Sequence, residues 1–470
     1  MLARLRLCLL GAFAAGLIAF SGAAHAAPTE ATPKIPTFKV DANWPLPLPA
    51  PVDAAGVAHP WVTGEVGGTC VDKNNHVYTF NRGWETGVIV GGKLMGANQG
   101  AISRQEAIKS AIPSPPVLAF DGAGRVVASW GDPSLVRIGP EAGYAAYMPN
   151  GAHGCFVDYS GAIWLTGSVD GIVQKYDPAA SQRNGAHAKY VLQIGTKGDC
   201  DAKQAPASGA NAYSSCNEHE DANSSHTKLN EPADVTVDPN IGPVSHKRGD
   251  VYIADGYGNH RIVVFDATGK YVGQWGTTCK IDGKPANSEA CAPGTFGATG
   301  GGHPHCVVMG NDGLVYVCDR PNNRIQVFDR KCAVPSTPAN PEPVCQPVRI
   351  ININGFQTAS PGNQKAIALG EQRATDIDFW PVPSGPAGKA EGRQDLMIDV
   401  DLGNDNAWLM DKKDGHVVGA LGSCGLSPCP GHNAGHFAFG HMIAVDSKGD
   451  VYVGETITGR RIQKFVPQKN

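Results

Sequence analysis

Short runs in which apolar and polar residues alternate, each bounded by glycine, asparagine or aspartate, recur along most of this chain. The clearest example is residues 249–276, GDVYIADGYGNHRIVVFDATGKYVGQWG. It holds three such runs, separated by turn-forming residues at 255–259 and 266–269. A period of two residues between turn formers is typical of β-hairpins. Together with the run at 232–238, this stretch predicts four antiparallel strands in succession.

Copies of this unit predict a repeat architecture. Strand–turn–strand cores recur at 69–84, 155–177, 306–329 and 442–465, and a more divergent copy lies at 374–418. Units that bury their faces only against their neighbours build closed or stacked arrays. Six four-stranded copies predict an all-β fold, a six-bladed β-propeller. The run Asn259-His260-Arg261-Ile262 resembles the signature of NHL repeats, a family that forms six-bladed propellers.

The N-terminal region is expected to contribute an export signal and a closing strand. Residues 1–26 begin with Arg4 and Arg6, continue with an apolar stretch and end in Ala24-His25-Ala26, which predicts a secretory signal peptide rather than a membrane anchor. The Pro- and Ala-rich residues 27–60 are expected to act as a strap, in which 36–44 supplies the outer strand of the last blade. The alternative for this segment is a disordered export linker.

The propeller itself is expected to occupy residues 61–470. Its blades are predicted at about 61–138, 149–198, 228–278, 300–355, 370–422 and 436–466.

Charge and cysteine content indicate the compartment in which the protein acts and the class of partner that it binds. The formal net charge of −4 provides no basic surface for nucleic acid. Of the 13 cysteines, all but Cys8 remain after signal removal, an even number that favours disulfides in a periplasmic or secreted protein over zinc-bound thiolates. Expected pairs are Cys200–Cys216, Cys279–Cys291, Cys332–Cys345, Cys424–Cys429 and the cross-strand Cys306–Cys318, with Cys70 and Cys155 left unassigned. We expect a monomer that has no membrane span after signal removal and that acts on a small molecule or a peptide.

Histidine occupies one position of the predicted inner strand in every second blade. This position lies five residues before the aspartate that opens the first hairpin turn. It is occupied by His153 in blade 2 and by His441 in blade 6, and by His305 in blade 4, where the turn is one residue longer. Blades 1, 3 and 5 have Gly67, Ala233 and Thr375 there. Alternate inner strands lie about 120° apart around a propeller channel. Three imidazoles at one level therefore predict a metal site with an open coordination position, as in catalytic zinc. The alternative is three channel-lining histidines bonded to water.

Two more side chains are expected beside this site. Loops after the second strand carry Arg82 in blade 1 and Tyr257 in blade 3, the two blades that flank His153. A divalent ion makes a nearby phenol a stronger acid, and an arginine can hold a carboxylate or an oxyanion. In the competing interpretation Tyr257 packs in the interior and Arg82 pairs with an acid such as Asp255.

The stretches EPADVTVDP, GDVYIADGYGNHRIVVFDATGKYVGQWG, PHCVVM, VYVCDRPNNRIQVF and HMIAVDSKGDVYVGE resemble the core repeats of the peptidyl-α-hydroxyglycine α-amidating lyase family. The likeness extends over about 61–466 and is strongest in blades 3, 4 and 6. It implies that the three histidines hold zinc and that Tyr257 and Arg82 act on the substrate. It also implies that Arg320 contacts the substrate. The family's channel calcium is not expected in the same form, because Met442 follows His441 where the family has aspartate.

These features predict an exported, metal-dependent lyase that breaks the C–N bond of a carbinolamide-like substrate at a three-histidine zinc site. Zinc would raise the acidity of the substrate hydroxyl, Tyr257 would remove its proton, and Arg82 would anchor a carbonyl or carboxylate. One alternative is a non-enzymatic NHL propeller that binds a protein or ligand through its loops. Another is a metal-dependent hydrolase or lactonase on the same fold.

Overall fold

The structure, a computed structural model, is β throughout the residues that it describes. These residues are 35–82, 111–131, 148–149, 151–169, 171–178, 188–197, 199–201, 223–298, 303–353, 373–380 and 394–468, with the backbone of 88–90 and 93–95. The predicted signal peptide lies outside them. Two 3-10 turns, Arg320–Asn322 and Arg330–Cys332, interrupt the strands. Within the described ranges no helix has the length and apolar character needed to cross a bilayer.

Six four-stranded antiparallel sheets form the blades, which confirms the six-bladed propeller. The strand that leads into them is β1 (Phe38–Val40). Blade 1 and its two small ribbons comprise β2 (Trp61–Val62), β3 (Glu65–Val71), β4 (Val77–Arg82), β5 (Val88–Val90), β6 (Lys93–Met95), β7 (Ile112–Pro113), β8 (Val117–Phe120) and β9 (Val126–Trp130). Blade 2 comprises β10 (Ala152–Val157), β11 (Ile163–Gly167), β12 (Ile172–Asp177) and β13 (Lys189–Ile194).

Blades 3 and 4 are separated by a short ribbon. Blade 3 comprises β14 (Pro232–Val237), β15 (Val251–Asp255), β16 (Arg261–Phe265) and β17 (Tyr271–Trp275), and the ribbon comprises β18 (Lys280–Ile281) and β19 (Lys284–Pro285). Blade 4 comprises β20 (Cys306–Met309), β21 (Leu314–Asp319), β22 (Arg324–Asp329) and β23 (Arg349–Asn352).

The last two blades complete the ring. Blade 5 comprises β24 (Asp376–Trp380), β25 (Leu396–Asp401), β26 (Asn406–Asp411) and β27 (Val417–Ala420). Blade 6 comprises β28 (Gly440–Val445), β29 (Val451–Glu455) and β30 (Arg461–Pro467). The inner strands β3, β10, β14, β20, β24 and β28 contact one another in that order, and β28 contacts β3. The ring is therefore closed.

The N-terminal strand closes the last blade, as predicted. Strand β1 pairs with β30, Phe38 opposite Pro467, and supplies the fourth strand of blade 6. Just beyond it, Trp44 packs against Phe120 of blade 1 and Tyr452 of blade 6, with ring centroids 5.5 and 5.0 Å away. The strap thus covers a sheet edge and fills the seam between the first and last blades with apolar surface.

Five disulfides lie among the described residues, and they include four of the five predicted pairs. These four are Cys279–Cys291, Cys306–Cys318, Cys332–Cys345 and Cys424–Cys429. The two unassigned cysteines also pair: Cys70 and Cys155 connect β3 to β10, with their Cα atoms 5.4 Å apart. Cys216 lies outside the described residues, so its pairing with Cys200 stays a prediction.

The carboxyl group of Asp399 is buried between blades 4 and 5. Asp399 is 0% exposed, and neither of its carboxylate oxygens has a hydrogen-bond partner among the described residues. Its strand neighbours Ile377 and Trp408 belong to the apolar cluster of this interface. Burial raises the pKa of Asp399 well above its usual value, and the nearby Asp401 and Asp376 raise it further. The folded protein therefore keeps this group protonated at a pH where the unfolded chain has ionised it.

Asp399→Asn should stabilise the fold more at pH 7 than at pH 4. A raised carboxyl pKa costs the folded state about 1.4 kcal/mol per pH unit between the unfolded and folded pKa values, and asparagine removes that cost. Urea unfolding at both pH values measures the difference. Asp282→Asn, at an exposed position, serves as the control and should show no such dependence. An equal effect of Asp399→Asn at both pH values would contradict the prediction.

Candidate metal centre

The three histidines predicted from the alternation meet at the centre of the ring. One ring nitrogen from each lies within 4.8 Å of the nitrogens of the other two. Ring centroids are 4.4 Å apart for His153 and His441, 4.9 Å for His153 and His305, and 5.0 Å for His305 and His441. All three side chains are buried. The structure thus brings together one imidazole from each of blades 2, 4 and 6.

β-Bulges in the inner strands explain how two of these side chains reach the axis. The register of β10 with β11 shifts between Ala152 and Cys155, and that of β28 with β29 shifts between Gly440 and Met442. A bulge inserts an extra residue and re-aims its side chain. His153 and His441 lie within these bulges. His305 immediately precedes β20, and its main-chain N–H donates to the carbonyl of Cys318 at 2.9 Å.

The blades without histidine orient the imidazoles of their neighbours. Nδ1 lies 2.6 Å from the carbonyl oxygen of Ala233 for His153, 2.6 Å from that of Thr375 for His305, and 2.9 Å from that of Gly67 for His441. These carbonyls come from the residues that occupy the histidine position in blades 3, 5 and 1. Because a carbonyl only accepts, each Nδ1 carries the proton and each Nε2 keeps its lone pair. This is the orientation of a metal-bound imidazole with an outer hydrogen-bond partner.

Glycine is required at one of these carbonyls. A Cβ atom at Gly67 would lie 1.9 Å from the carbonyl oxygen of Ala152, and one at Gly68 would lie 2.3 Å from that of His153. Both distances are far inside van der Waals contact, so only glycine lets β3 lie this close to β10.

The electrostatic surroundings keep the imidazoles neutral. Burial is the largest cause that lowers the pKa of each histidine well below its usual value. The next cause is the positive charge of Arg320 for His305 and of Arg82 for His441. Neutral imidazoles are the form that binds metal ions.

Tyr257 and Arg320 contact this cluster directly. The Tyr257 hydroxyl lies 3.0 Å from Nε2 of His153 and 2.9 Å from Nε2 of His305, and Arg320 Nη1 donates to it at 3.3 Å. One hydroxyl proton can serve only one of two Nε2 lone pairs. A cation among these electron-rich atoms would satisfy the arrangement, so the residues fit a metal ion of the imidazole-preferring class, such as zinc.

Arg82 lies beside the cluster and is held by two acceptors. Its Nη1 pairs with Glu65, and its Nε donates to the carbonyl of Ala152, the residue before His153, at 3.0 Å. The competing interpretation, in which Arg82 pairs with an acid, named Asp255 as an example, but the acid that Arg82 contacts is Glu65. The carboxylate of Asp255 binds Nε of Arg261 at 2.9 Å.

Sequence reasoning missed the acids of the inner channel. Next to the histidine ring is a cavity of about 130 Å³, whose lining includes Asp234, Asp376 and Met442. Asp234 and Asp376 accept main-chain N–H groups from Val307 and Ile443 at 3.0 and 2.9 Å. Burial raises the pKa of Asp234 to about 7. Each acid directly follows a histidine-position residue, in blades 3 and 5, which is the signal that could have identified them. In blade 6 the corresponding residue is Met442.

Comparison with known proteins agrees with the repeat architecture. The NHL repeat family matches residues 244–265 and 302–328. The chain carries NHL repeats. Rat peptidylglycine alpha-amidating monooxygenase is 30% identical over 184 residues, which cover 39% of this chain and 14% of that protein. A probable peptidyl-alpha-hydroxyglycine alpha-amidating lyase of Caenorhabditis elegans is 26% identical over 269 residues, 56% of this chain and 55% of that one.

The chain is thus a homologue, at low identity, of amidating-enzyme sequences, and it matches about half or less of their length. Among solved structures, a streptogramin B lyase aligns with a TM-score of 0.40 at 11% identity, covering 87% of this chain and 94% of that one.

We expect the purified protein to contain about one equivalent of a divalent metal ion and His305→Ala to lose it, because two imidazoles hold zinc far more weakly than three. Elemental analysis after dialysis measures the content. His59→Ala is the matched control, since His59 is part-exposed and pairs with Asp53. Retention of metal by His305→Ala, or its absence from the wild type reconstituted with zinc, would contradict the expectation.

Proposed function

We propose that the protein is an exported zinc-dependent lyase that cleaves the C–N bond of an N-acyl carbinolamide, with an N-acyl-α-hydroxyglycine as the substrate class. The observation that carries this proposal is the position of the Tyr257 hydroxyl within about 3 Å of two Nε2 atoms whose lone pairs face it. A proton acceptor beside three imidazoles that would hold a metal ion is what removal of the substrate's hydroxyl proton would require. Homology to the amidating enzymes supports the same chemistry.

His153, His305 and His441 would hold the zinc ion, which supplies Lewis acidity to the substrate hydroxyl when bound. The acceptors on Ala233, Thr375 and Gly67 fix the Nδ1–H tautomers, so the imidazoles need no rearrangement when metal or substrate binds. The buried imidazoles also exclude water from one side of the reacting atoms.

Tyr257 acts as the general base in this proposal. It accepts the hydroxyl proton as that oxygen becomes the carbonyl of an aldehyde and the C–N bond breaks. The electron pair of that bond goes to nitrogen, which takes the proton and leaves as a primary amide. An N-acyl-α-hydroxyglycine therefore gives a primary amide and glyoxylate, with no other reactant. The base is the phenolate, which becomes a neutral phenol on accepting the proton and forms again when nitrogen takes it. Arg320, whose Nη1 lies 3.3 Å from the phenol oxygen, stabilises that phenolate before and after the proton is carried.

Arg82 anchors the carboxylate of the substrate. It lies in blade 1, next to Ala152 and on the far side of the ring from Arg320. Arg320 donates to the Tyr257 hydroxyl. Of the two described arginines beside the histidines, Arg82 is therefore the one that we assign to a substrate anion. A guanidinium offers a carboxylate two parallel N–H groups.

The disulfides agree with function outside the cytoplasm, because such bonds persist in oxidising compartments. We place the protein in the periplasm or among secreted proteins, after removal of residues 1–26. A monomer that acts on a small-molecule or peptide substrate completes the proposal.

Tyr257→Phe should lower kcat by at least about 100-fold while metal content stays unchanged, because the phenyl ring keeps the packing and loses the base. Release of glyoxylate from N-benzoyl-α-hydroxyglycine measures turnover. Tyr190→Phe, at an exposed tyrosine, is the control and should match the wild type. If zinc-loaded wild type releases no glyoxylate, the lyase proposal fails and a binding function is favoured. Full activity of Tyr257→Phe would remove that residue from its role.

A further inference from the structure

An ion pair of fixed orientation recurs at the ends of the second strands. In blades 3, 4 and 6 this strand ends in an acid that accepts from the arginine opening the third strand. The pairs are Asp255–Arg261 at 2.9 Å, Asp319–Arg324 at 2.7 Å and Glu455–Arg461 at 3.0 Å. Each arginine also donates to loop carbonyls. These pairs tie the second and third strands of one blade to the loop beside them, and every guanidinium nitrogen in them donates.

Blade 1 reverses the charges of this pair. Its second strand β4 ends in Arg82 where blades 3, 4 and 6 have an acid. The acid of blade 1 is Glu65, the cross-strand neighbour of Arg82 on the inner strand β3. The reversal moves a guanidinium from the periphery of the blade to a position beside His153. Nε of Arg82 donates to the carbonyl of Ala152, the residue before His153, at 3.0 Å, which places the guanidinium beside the histidine ring.

One edge of the Arg82 guanidinium is bound to the protein and the other is open. Nε and Nη1 donate to Ala152 and Glu65, whereas Nη2 has no hydrogen-bond partner among the described residues. The Arg82 side chain is 15% exposed, which lies between 0% for Arg261 and 2% for Arg324 on one side and 25% for Arg461 on the other. The open Nη2 edge, and not exposure, therefore distinguishes Arg82, because both Nη atoms of Arg461 donate to carbonyl groups. Arg82 is thus held rigidly with donors left over, which the structural arginines lack.

Glu65 interacts with the protein through this arginine. Its side chain is 0% exposed, Oε2 accepts from Nη1 of Arg82, and Oε1 has no hydrogen-bond partner in the part of the chain that the structure describes. A buried carboxylate with an unused oxygen is costly to fold, so its presence here calls for a role beyond stability.

We propose that Glu65 is a positioning residue that holds Arg82 so that the Nη2 edge receives the substrate's carboxylate. This inference rests on the proposed function and deepens it: blade 1 is the carboxylate-recognition wall of the site, and Glu65 makes recognition specific for acids over neutral carbinolamides. The rigid clamp lowers the entropy lost when the arginine engages its ligand.

Two substrates that differ only in the carboxylate test the inference. N-Benzoyl-α-hydroxyglycine carries it, and N-(hydroxymethyl)benzamide, which would release formaldehyde, lacks it. Glu65→Ala frees Arg82 and should lower kcat/KM for the acid by at least about tenfold, the loss expected for one charge-assisted hydrogen bond. It should leave kcat/KM for the neutral compound within about twofold. Glu65→Gln should keep kcat/KM for the acid within about threefold of the wild type. The amide replaces Oε1, which has no hydrogen-bond partner among the described residues, and the remaining oxygen still accepts from Arg82.

Glu455→Ala is the matched control, since it removes a buried glutamate from a structural pair of the same kind. It should lower the melting temperature as Glu65→Ala does, without changing the preference between the two substrates. Equal losses on both substrates in Glu65→Ala, or no loss on the acid, would overturn the positioning role.

A failure of the proposed reaction is distinguishable. If the wild type turns over neither compound, calorimetric titration with glyoxylate decides the role of Glu65 alone. Binding to the wild type and to Glu65→Gln that weakens at least about tenfold in Glu65→Ala would support the clamp even then. Equal binding by all three proteins, or none to the wild type, would overturn it.

Discussion

The hydrogen bond from each imidazole Nδ1 to a main-chain carbonyl of the next blade is the interaction on which the centre of this protein depends. It fixes the tautomer of all three histidines, and it explains why they occur in every second blade. The blade between two histidines is needed as an acceptor. Because the acceptor is main-chain, the side chain at that position is not constrained by the contact, and Gly67, Ala233 and Thr375 perform the same task.

One of these hydrogen bonds also crosses the interface between the first and last blades, so the geometry of the site depends on closure of the ring. The acceptor for His441 of blade 6 is Gly67 of blade 1, so that hydrogen bond crosses the seam where the ring closes. Strand β1 and Trp44 cover the same seam. The Cys70–Cys155 disulfide then ties the strand of Gly67 to the strand of His153. Segments near the two ends of the described chain therefore orient His441, the third histidine of the candidate metal centre. The strap covers the seam at which this contact forms.

The charges around the ring are divided by position. Guanidinium groups from blades 1 and 4 lie beside the histidines, whereas carboxyl groups from blades 3 and 5 line the channel one residue further along the inner strands. An anionic ligand is therefore favoured on the arginine side. The asymmetry arises from single residues placed on a common backbone: Arg82 where blades 3, 4 and 6 have an acid, and Asp234 and Asp376 where blade 6 has Met442.

The amino-acid sequence alone determined the fold and the three histidines. Alternation of apolar and polar residues specifies the strands locally, and six copies of the four-stranded unit indicate a closed ring. Alignment of the inner strands then shows histidine at one position in alternate blades. It also indicated Tyr257, Arg320 and four disulfides, since these depend on short spacing or on a family motif. Tertiary structure decided the contacts that link different blades: the carbonyl partners of the imidazoles, the Cys70–Cys155 bond, and Glu65 rather than Asp255 as the partner of Arg82. The physical reason is that a side chain's partner across a blade interface depends on how closely two backbones approach. That distance is set by bulges and by Gly67 and Gly68, which no local pattern of polar and apolar residues records.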